Sequence, residues 1–238
     1  MAYTSIDNPE LYFQTKTYAG NSSTQSITLD GSENMRPDWV WIKNRSDSRK
    51  HNLYDSVRGA TKRLVSNDNV AEDTAGNGLT SFDSDGFTSG SEQDTNHNGN
   101  NFVAWNWLAG GSASSNSDGS ITSSVSASTT AGFSVVSYTG TGSNATVGHG
   151  LGVAPSVVIT KNRDLSSGGA SNWRVGSTML GFTKRLNLNT TDSVSTDSTA
   201  YNDTDPTSSV FSVGTHGSTN GSTTVSYTHL TLPTIYSV

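Results

Sequence analysis

The run Asp-Ser-Asp-Gly at residues 83–86 has the residue types of a metal-binding loop. Hard cations such as Ca²⁺ prefer several oxygen ligands close together, and an EF-hand loop adds a bidentate carboxylate six residues after its glycine, where Glu92 stands. However, the first ligand position would be Ser81, and no helix pattern flanks the loop. We favour a turn whose Asp side chains bond locally. The calcium candidates are Asp83, Asp85 and Glu92, and we otherwise expect neither metal nor cofactor.

Serine and histidine side chains could supply a nucleophile and its base. His97 and His149 stand in loops rich in Gly and Asn, and no Gly-x-Ser-x-Gly elbow occurs. The adjacent carboxylates Glu72 and Asp73 fall in a polar stretch, whereas glycoside hydrolysis needs carboxylates across a cleft. We therefore predict that the protein is not an enzyme and has no catalytic residue.

Tryptophan side chains are the remaining candidates, because indole rings offer large amphipathic contact surfaces, including to sugars. Four tryptophans lie in apolar runs that predict packed strands; they are Trp39, Trp41, Trp105 and Trp107. Trp173 differs, because it lies between Asn172 and Arg174 beside a stretch rich in Gly and Ser. We predict that Trp173 is the most exposed tryptophan and name it as the candidate ligand-binding residue. The alternative places it in a buried position equivalent to Tyr54.

The charge and composition exclude several classes of protein. The net charge is −6 and no run of Lys or Arg exceeds two residues, which argues against nucleic-acid and anionic-membrane surfaces. The absence of cysteine excludes disulfides and thiolate metal sites. No apolar stretch approaches the roughly 18 residues of a membrane span, and the N-terminus lacks signal-peptide features. We expect a soluble protein without membrane insertion.

The distribution of aromatic residues predicts an all-β fold. The chain is rich in Ser, Thr, Asn and Gly, but its five Trp, eight Tyr and seven Phe fall largely in short apolar runs. Such runs, separated by Asp-Gly and Asn-Gly turn signals, are typical of a sheet protein. The clearest predicted strands are residues 38–43, 101–107, 133–138 and 156–160.

An internal repeat organises these strands. Four matches occur in the same order with offsets of 118 to 124 residues; the pairs are Tyr18 with Tyr138, Lys43 with Lys161, Leu64 with Leu186, and Phe87 with Phe211. Insertions in loops between equivalent strands explain the drift in offset. We predict two tandem β-sandwich repeats of the jelly-roll or lectin-like kind, each about 100 residues long. In this alignment Trp41 matches Ile159.

The predicted organisation has five segments. They are an N-terminal segment (1–12), a first repeat (13–108), a Gly/Ser-rich linker with at most one short strand (109–132), a second repeat (133–224) and a C-terminal segment (225–238).

Three long motifs carry a family resemblance. They are Tyr-Asp-Ser-Val-Arg-Gly-Ala-Thr-Lys at 54–62, Phe-Asp-Ser-Asp-Gly-Phe at 82–87 and Val-Ala-Trp-Asn-Trp at 103–107. Residues 3–224 resemble a repeat domain of uncharacterised function that is found in tail-associated proteins of marine bacteriophages. Asn106 departs from the pattern, because relatives commonly have Cys there. The resemblance implies no catalytic residue.

The resemblance implies a structural or adhesion module of the virion, in the tail or tail fibre, made in the host cytoplasm. Its expected partners are other virion proteins, with self-association into a homo-oligomer left open. The alternative is a carbohydrate-binding module for a host-surface glycan, which requires exposed aromatic residues on one face. A capsule-degrading enzyme would instead require carboxylates that converge in a groove.

The C-terminal segment reads differently from the rest. Residues 225–234 resemble the translation of a transposase sequencing adapter, so we expect residues 225–238 not to be natural protein and the second repeat to be truncated. The alternative is a genuine strand over residues 225–232. Val225, Tyr227 and His229 would fall where the closing strand of the second repeat belongs. We therefore expect residues 1–130 to fold alone and the second repeat to be unstable.

Overall fold

Apolar and Thr-rich runs form antiparallel sheets, and the all-β prediction is confirmed. The computed structural model describes residues 6–165, 171–222 and 224–230. After a 3-10 turn (Pro9–Leu11), the first unit comprises β1 (Phe13–Ala19), β2 (Gln25–Ile27), β3 (Trp39–Asn44), β4 (Asn52–Asp55), β5 (Lys62–Val65), β6 (Asp73–Thr74), β7 (Leu79–Asp83), β8 (Gly86–Ser89), α1 (Gln93–Asn96) and β9 (Asn101–Trp107).

The second unit follows with a similar series of elements. They are β10 (Ser114–Asn116), β11 (Ser123–Ser128), β12 (Phe133–Thr139), β13 (Ala145–Gly148), β14 (Val157–Asn162), β15 (Arg174–Ser177), β16 (Lys184–Asn187), β17 (Ser195–Thr196), α2 (Ser198–Tyr201), β18 (Val210–Val213), α3 (Gly217–Asn220) and β19 (Thr224–Leu230).

Each unit has one large and one small sheet. The large sheets have the orders β1-β9-β3-β4-β5-β6 and β10-β11-β12-β19-β14-β15-β16-β17. From β12 onward, the second order follows the first strand for strand, with β19 in the place of β9. The small sheets are β2-β8-β7 and β13-β18. At the predicted match, Trp41 lies on β3 and Ile159 lies on β14.

A tyrosine and an asparagine close each unit in the same way. The Tyr18 hydroxyl donates to the Thr95 carbonyl oxygen over 2.7 Å, and the Tyr138 hydroxyl donates to that of Thr219. Asn96 donates to the Gly90 carbonyl oxygen over 2.7 Å, and Asn220 donates to that of Gly214 over 2.8 Å. The Thr-Asn pair at 95–96 and 219–220 is therefore a further repeat match, with an offset of 124 residues.

The glycine two residues after each tyrosine is required by a close approach of the backbone. A Cβ atom on Gly20 would collide with the carbonyl oxygen of His97, and one on Gly140 would collide with that of Gly221. These contacts explain why the Tyr-x-Gly motif occurs at both positions. Glycine is needed at both positions because no side chain fits there, and not because of a functional role.

Within each unit, the large sheet packs against the small sheet. The first core contains Val40, Ile42, Phe102 and Ala104 from the large sheet with Ile27, Leu79 and Phe87 from the small sheet. The second core contains Val136, Tyr138 and Val158 with Val147, Phe211 and Val213, and it also takes Ile121, Val125 and Tyr201.

A third core joins the two units, because the other faces of the large sheets pack on each other. The first unit contributes Trp39, Leu53 and Leu64, and the second contributes Phe133, Val135, Ile159 and Trp173. The centroid of the Phe133 ring lies 5.8 Å from that of Trp39. The resulting order of layers is small sheet, large sheet, large sheet, small sheet.

The predicted linker is wrong, because residues 109–132 belong to the second unit. They carry β10 and β11, and β11 pairs along its full length with β12. Val125 and Ile121 of this segment are buried in the second core. A division of the chain at residue 130 would therefore cut through the eight-stranded sheet. Of the C-terminal segment, residues 231–238 lie outside the described part of the chain, and residues 224–230 form β19 between β12 and β14.

Candidate functional site

The predicted calcium loop is a hairpin turn. Asp83 pairs with Gly86 at the end of β7 and β8, and Gly86 has a φ of 101°, which favours glycine. The Asp83 carboxylate accepts hydrogen bonds from the Ser81 and Thr88 hydroxyls, both over 2.7 Å. The carboxylate is thus used to close the turn, as in the simpler interpretation.

The other two calcium candidates face different partners. Asp85 accepts a hydrogen bond from the Met35 backbone over 3.3 Å, and a Glu92 oxygen lies 3.8 Å from Arg63. Within the described residues, no three His, Asp or Glu side chains come close enough to hold a metal ion. The structure therefore does not assemble Asp83, Asp85 and Glu92 into a site.

Trp173 is buried, contrary to the prediction of an exposed ring. Its side chain is 3% exposed, and its indole N–H donates to the Val65 carbonyl oxygen over 2.8 Å. The residue lies in the core that joins the two units, rather than at the position of Tyr54. It is therefore unavailable for stacking on a ligand. The neighbouring residues 166–170 lie outside the described part of the chain.

The other four tryptophans form a row on the face of the first large sheet that turns towards the second unit. Trp39 lies 5.7 Å from Trp41 and 4.5 Å from Trp107 between ring centroids, and Trp41 lies 6.0 Å from Trp105. Only Trp39 is fully buried, whereas Trp41, Trp105 and Trp107 are half-buried. The prediction that all four pack in a core is thus right for Trp39, whereas the other three are only partly covered.

The partly open end of this row is a candidate binding surface. It is formed by Trp41 and Trp105 on the central strands and by three exposed residues of β1, namely Phe13, Thr15 and Thr17. Thr15 lies directly opposite Trp105, and Phe13 lies opposite Trp107 with ring centroids 4.7 Å apart. We call this set the aromatic strip. It combines ring faces with hydroxyl groups, as sugar-binding surfaces require.

An ion network fixes the second unit to the first. Glu72 accepts a hydrogen bond from Arg58 over 2.9 Å and two from Arg163 of the second unit, each over 2.8 Å. Arg58 is fully buried and also contacts the buried Asp55. Burial disfavours the charged form of Glu72, but the hydrogen bonds from Arg163 and the charge of Arg58 outweigh it and lower its pKa.

Two arginines crowd one another in the second unit. Arg185 bridges β16 and β17 through Asp197 over 2.7 Å, as Arg63 bridges β5 and β6 through Asp73 over 2.9 Å. Arg174 lies beside Arg185, and burial followed by that neighbouring charge lowers the pKa of Arg174 to about 10. The guanidinium group remains charged at neutral pH and contacts Asn187 of β16 and the ring of His216.

Two histidine rings of the second unit, those of His149 and His216, are hydrogen-bonded within the fold. In His149, Nδ1 accepts from the Leu151 backbone and Nε2 lies 3.2 Å from the Thr207 carbonyl oxygen. In His216, Nδ1 accepts from Ser218, and Nε2 lies 3.2 Å from Arg174. Burial lowers the pKa of both rings. Both ring nitrogens of His149 and Nδ1 of His216 bond to nearby backbone groups and so hold loops in place. Within the described residues, neither ring is hydrogen-bonded to a side chain that could act as its nucleophile.

A small cleft opens in the segment that was predicted as a linker. Its volume is about 220 Å³, and its lining consists of Gly, Ser, Asn, Val and Ala residues, among them Ser114, Asn116 and Ser126. The lining carries neither a charged nor an aromatic side chain, so the cleft offers less for recognition than the aromatic strip.

Sequence reasoning did not place Phe13 on a binding surface, and it considered Glu72 only as a hydrolytic carboxylate beside Asp73. The alternation of β9 did contain a signal for the aromatic strip, since Phe102 and Ala104 fill one face while Trp105 and Trp107 stand on the other. The pairing of Glu72 with Arg163, 91 residues apart, had no signal in the sequence. Glu72 and Arg163 each lie in a polar segment, so neither residue stands out from its neighbours in the sequence.

Comparison with known proteins gives one match. No curated protein and no solved structure matches the chain. Within the described residues, no helix has the length and apolar character needed to cross a membrane. A family model matches residues 8–234, which includes both units and part of the C-terminal segment predicted to be adapter. The chain therefore belongs to the family described as a domain of unknown function, DUF7483.

Proposed function

We propose that this protein is a non-catalytic structural or adhesion module of a bacteriophage virion, in the tail or tail fibre, built from two tandem β-sandwich repeats. The observation that carries the proposal is the continuous core between the two large sheets, reinforced by Glu72 between Arg58 and Arg163. Such an interface resists relative motion of the units, as a rigid spacer in a particle requires. An enzyme commonly needs an opening between parts that move.

The arrangement of polar groups supports the same proposal. The buried charges Arg58, Arg63 and Arg174 hold strands or loops together. Asp83 and His149, which could serve in metal or acid–base chemistry, make structural hydrogen bonds. The resemblance of the long sequence motifs to tail-associated repeat domains adds the virion as the location and other virion proteins as partners.

Two measurements test the proposal. Antibodies raised against the purified chain should label intact particles of a phage that encodes it, and should label the tail. The purified chain should also leave host polysaccharides and ester substrates unchanged over long incubation. Particles that lack the protein would contradict the virion assignment, and release of reducing sugar would contradict the non-catalytic one.

The aromatic strip favours carbohydrate binding as a second candidate function. The half-buried rings of Trp41 and Trp105 lie 6.0 Å apart beside the exposed hydroxyl of Thr15, which is the combination that sugar recognition uses. A glycan array, followed by titration of Trp fluorescence, would test it. We expect Trp105→Phe to retain binding and Trp105→Thr to lose it, while Trp173→Phe, at a buried position, has no effect. Absence of glycan binding by the wild-type chain would exclude this candidate.

A further inference from the structure

The two large sheets differ at one edge. In the second unit, β12 has a partner on each side, because β11 pairs with residues 133–138 and β19 pairs with residues 133–139. In the first unit, the equivalent strand β1 pairs with β9 on one side. Within the described residues, no strand pairs with its other side. In the part of the chain that the structure describes, the first unit therefore has an open place where the second unit has β11.

The backbone of β1 presents a regular set of hydrogen-bonding groups at this edge. The Leu108 backbone N–H donates to Tyr12, and the Gly20 N–H donates to Asn100, so even-numbered residues face β9. Because bonding alternates along an antiparallel strand, the odd-numbered residues turn their N–H and C=O groups outward. They are Phe13, Thr15, Thr17 and Ala19, and their side chains are also exposed. The Ala19 carbonyl oxygen already accepts a hydrogen bond from the Gln25 side chain over 3.1 Å, so the edge available to a new strand runs from Phe13 to Thr17 and includes the Ala19 N–H.

This edge is unusual among the edges of the large sheets. The outer strands β6 and β17 have two residues each, and β10 has three. Proteins often shorten edge strands or place Pro or charge on them, because long bare edges recruit other strands. β1 has seven residues and contains no Pro. Its single charged residue, Lys16, is held by Asp30 over 3.0 Å.

The equivalence of the two units indicates what kind of strand can pair with the free edge of β1. In the second unit, the incoming strand is the uncharged Ser-rich β11, whose Val125 lies opposite the buried Val136. In the first unit, the position of Val136 is occupied by the half-exposed Lys16, 120 residues earlier. A strand that docks on β1 thus resembles β11 but carries an acceptor or a negative charge, rather than Val, opposite Lys16.

We propose that β1 is a docking edge that accepts an extended Ser- and Thr-rich strand of another chain, in antiparallel register and with an acidic residue opposite Lys16. The recognition is strand addition, in which main-chain hydrogen bonds supply the affinity and alternate side chains supply the specificity. The proposal is independent of the virion assignment, because it rests on the geometry of the sheet alone.

Synthetic peptides of residues 119–131 test the proposal against the full chain. One peptide has the natural sequence, and two carry Val125→Asp or Val125→Lys. We expect the Asp peptide to bind about tenfold more tightly than the Lys peptide at low salt, with the natural peptide between them. A scrambled Asp peptide of the same composition should not bind.

Hydrogen exchange locates the bound strand. In the free chain, the amides of Phe13, Thr15, Thr17 and Ala19 should exchange quickly, and the Asp peptide should protect them while leaving β11 unchanged. Protection of these amides before the peptide is added would show that the edge is already covered and would overturn the proposal. Protection elsewhere, or equal binding of the Asp and Lys peptides, would also overturn it.

A backbone substitution provides the matched control. Thr15→Pro removes one outward N–H without removing a hydrogen bond to β9, whereas Thr15→Ala removes the side chain alone. We expect Thr15→Pro to weaken binding of the Asp peptide about tenfold and Thr15→Ala to change it less than about twofold. Thermal unfolding of both variants checks that each remains folded. Equal binding by the two variants would contradict strand addition.

Discussion

The two units solve the same packing problem with different residues. In the first, Tyr54 on β4 fills the space near Gly78, where a Cβ atom would collide with the tyrosine hydroxyl. In the second, the position of Tyr54 is Gly176, and the rings of Phe182 and Tyr201 fill the space; a Cβ atom on Gly176 would lie 2.6 Å from the first ring and 2.8 Å from the second. The comparison teaches that the fold requires aromatic rings at this place and not a ring from a particular strand.

The units also differ in how they use charge. The first buries the pair Asp55 and Arg58, whereas Ser177 and Leu180 occupy the equivalent positions 122 residues later. A buried ion pair is costly to desolvate and is often replaceable by residues that need no partner. The first unit retains the charges because Arg58 also binds Glu72, which reaches the second unit through Arg163.

Loss of Arg58 should give the largest effect. Arg58→Leu leaves Asp55 buried without its cation, so we expect the free energy of unfolding to fall by about 3–5 kcal/mol. The double variant Asp55→Ser/Arg58→Leu transplants the residues of the second unit and should recover at least half of that loss. Urea unfolding of the three proteins measures both values. A double variant no more stable than the single one would break the equivalence of the two positions.

The buried Lys161 should make the stability of the chain depend on pH. Burial lowers the pKa of Lys161 from 10.5 to about 8, so between pH 8 and 10.5 the unfolded chain binds more protons than the folded one. The stability of the wild type should therefore rise with pH across this window relative to Lys161→Met, by on the order of 3 kcal/mol at most. Urea unfolding of the wild type and of Lys161→Met at several pH values measures the difference. A difference in stability that stays constant from pH 8 to 10.5 would contradict the prediction.

The close contact between Gly78 and the Tyr54 ring predicts a smaller effect, which depends on whether the tyrosine hydroxyl is present. Gly78→Ala forces a methyl group against the Tyr54 hydroxyl and should cost about 1–3 kcal/mol. Tyr54→Phe removes that hydroxyl, so the double variant should lose less than the sum of the two single changes. Ala200→Gly, at the position of Gly78 in the second unit, controls for backbone entropy. Additive losses measured by chemical denaturation would show that the two residues do not compete for the same space.

The smallest effect is expected at the edge strand. Lys16 forms a partly exposed pair with Asp30, so Lys16→Ala should change stability by less than about 0.5 kcal/mol. Val136→Ala, at the equivalent buried position, should cost about 2 kcal/mol. Thermal melts of the two variants compare an open edge with a covered one. A loss at Lys16 as large as at Val136 would mean that β1 is covered in solution.

Local sequence patterns were sufficient to predict the strands but not their layers. The apolar runs at 38–43 and 101–107 correspond to β3 and β9 because alternation is a property of neighbouring residues. Both faces of β3 are largely buried, yet nothing in its sequence specifies that the second face meets Phe133, about 90 residues later. β11 was predicted as at most one short strand of a linker, because buried serines, such as Ser126, conceal the alternation of this segment.

The candidate sites were harder to predict than the fold, for a related reason. Asp83 and Glu92 have a ligand-like spacing, but spacing fixes neighbours only within a known element, and here one residue lies in a hairpin and the other before α1. Trp173 has polar neighbours in sequence but apolar neighbours in space. The assignment of residues 225–238 to an adapter stays a prediction, since β19 is described by its backbone pairing alone.

The face-to-face contact of the large sheets has a consequence for how such chains can lengthen. Each unit covers the aromatic or aliphatic face of the other, so two units together complete the contact that one alone leaves open. A third unit would add a face like that of Trp39 or Phe133 with no fourth unit to meet it. Longer members of the family should therefore contain an even number of units, and a viable duplication should copy a pair.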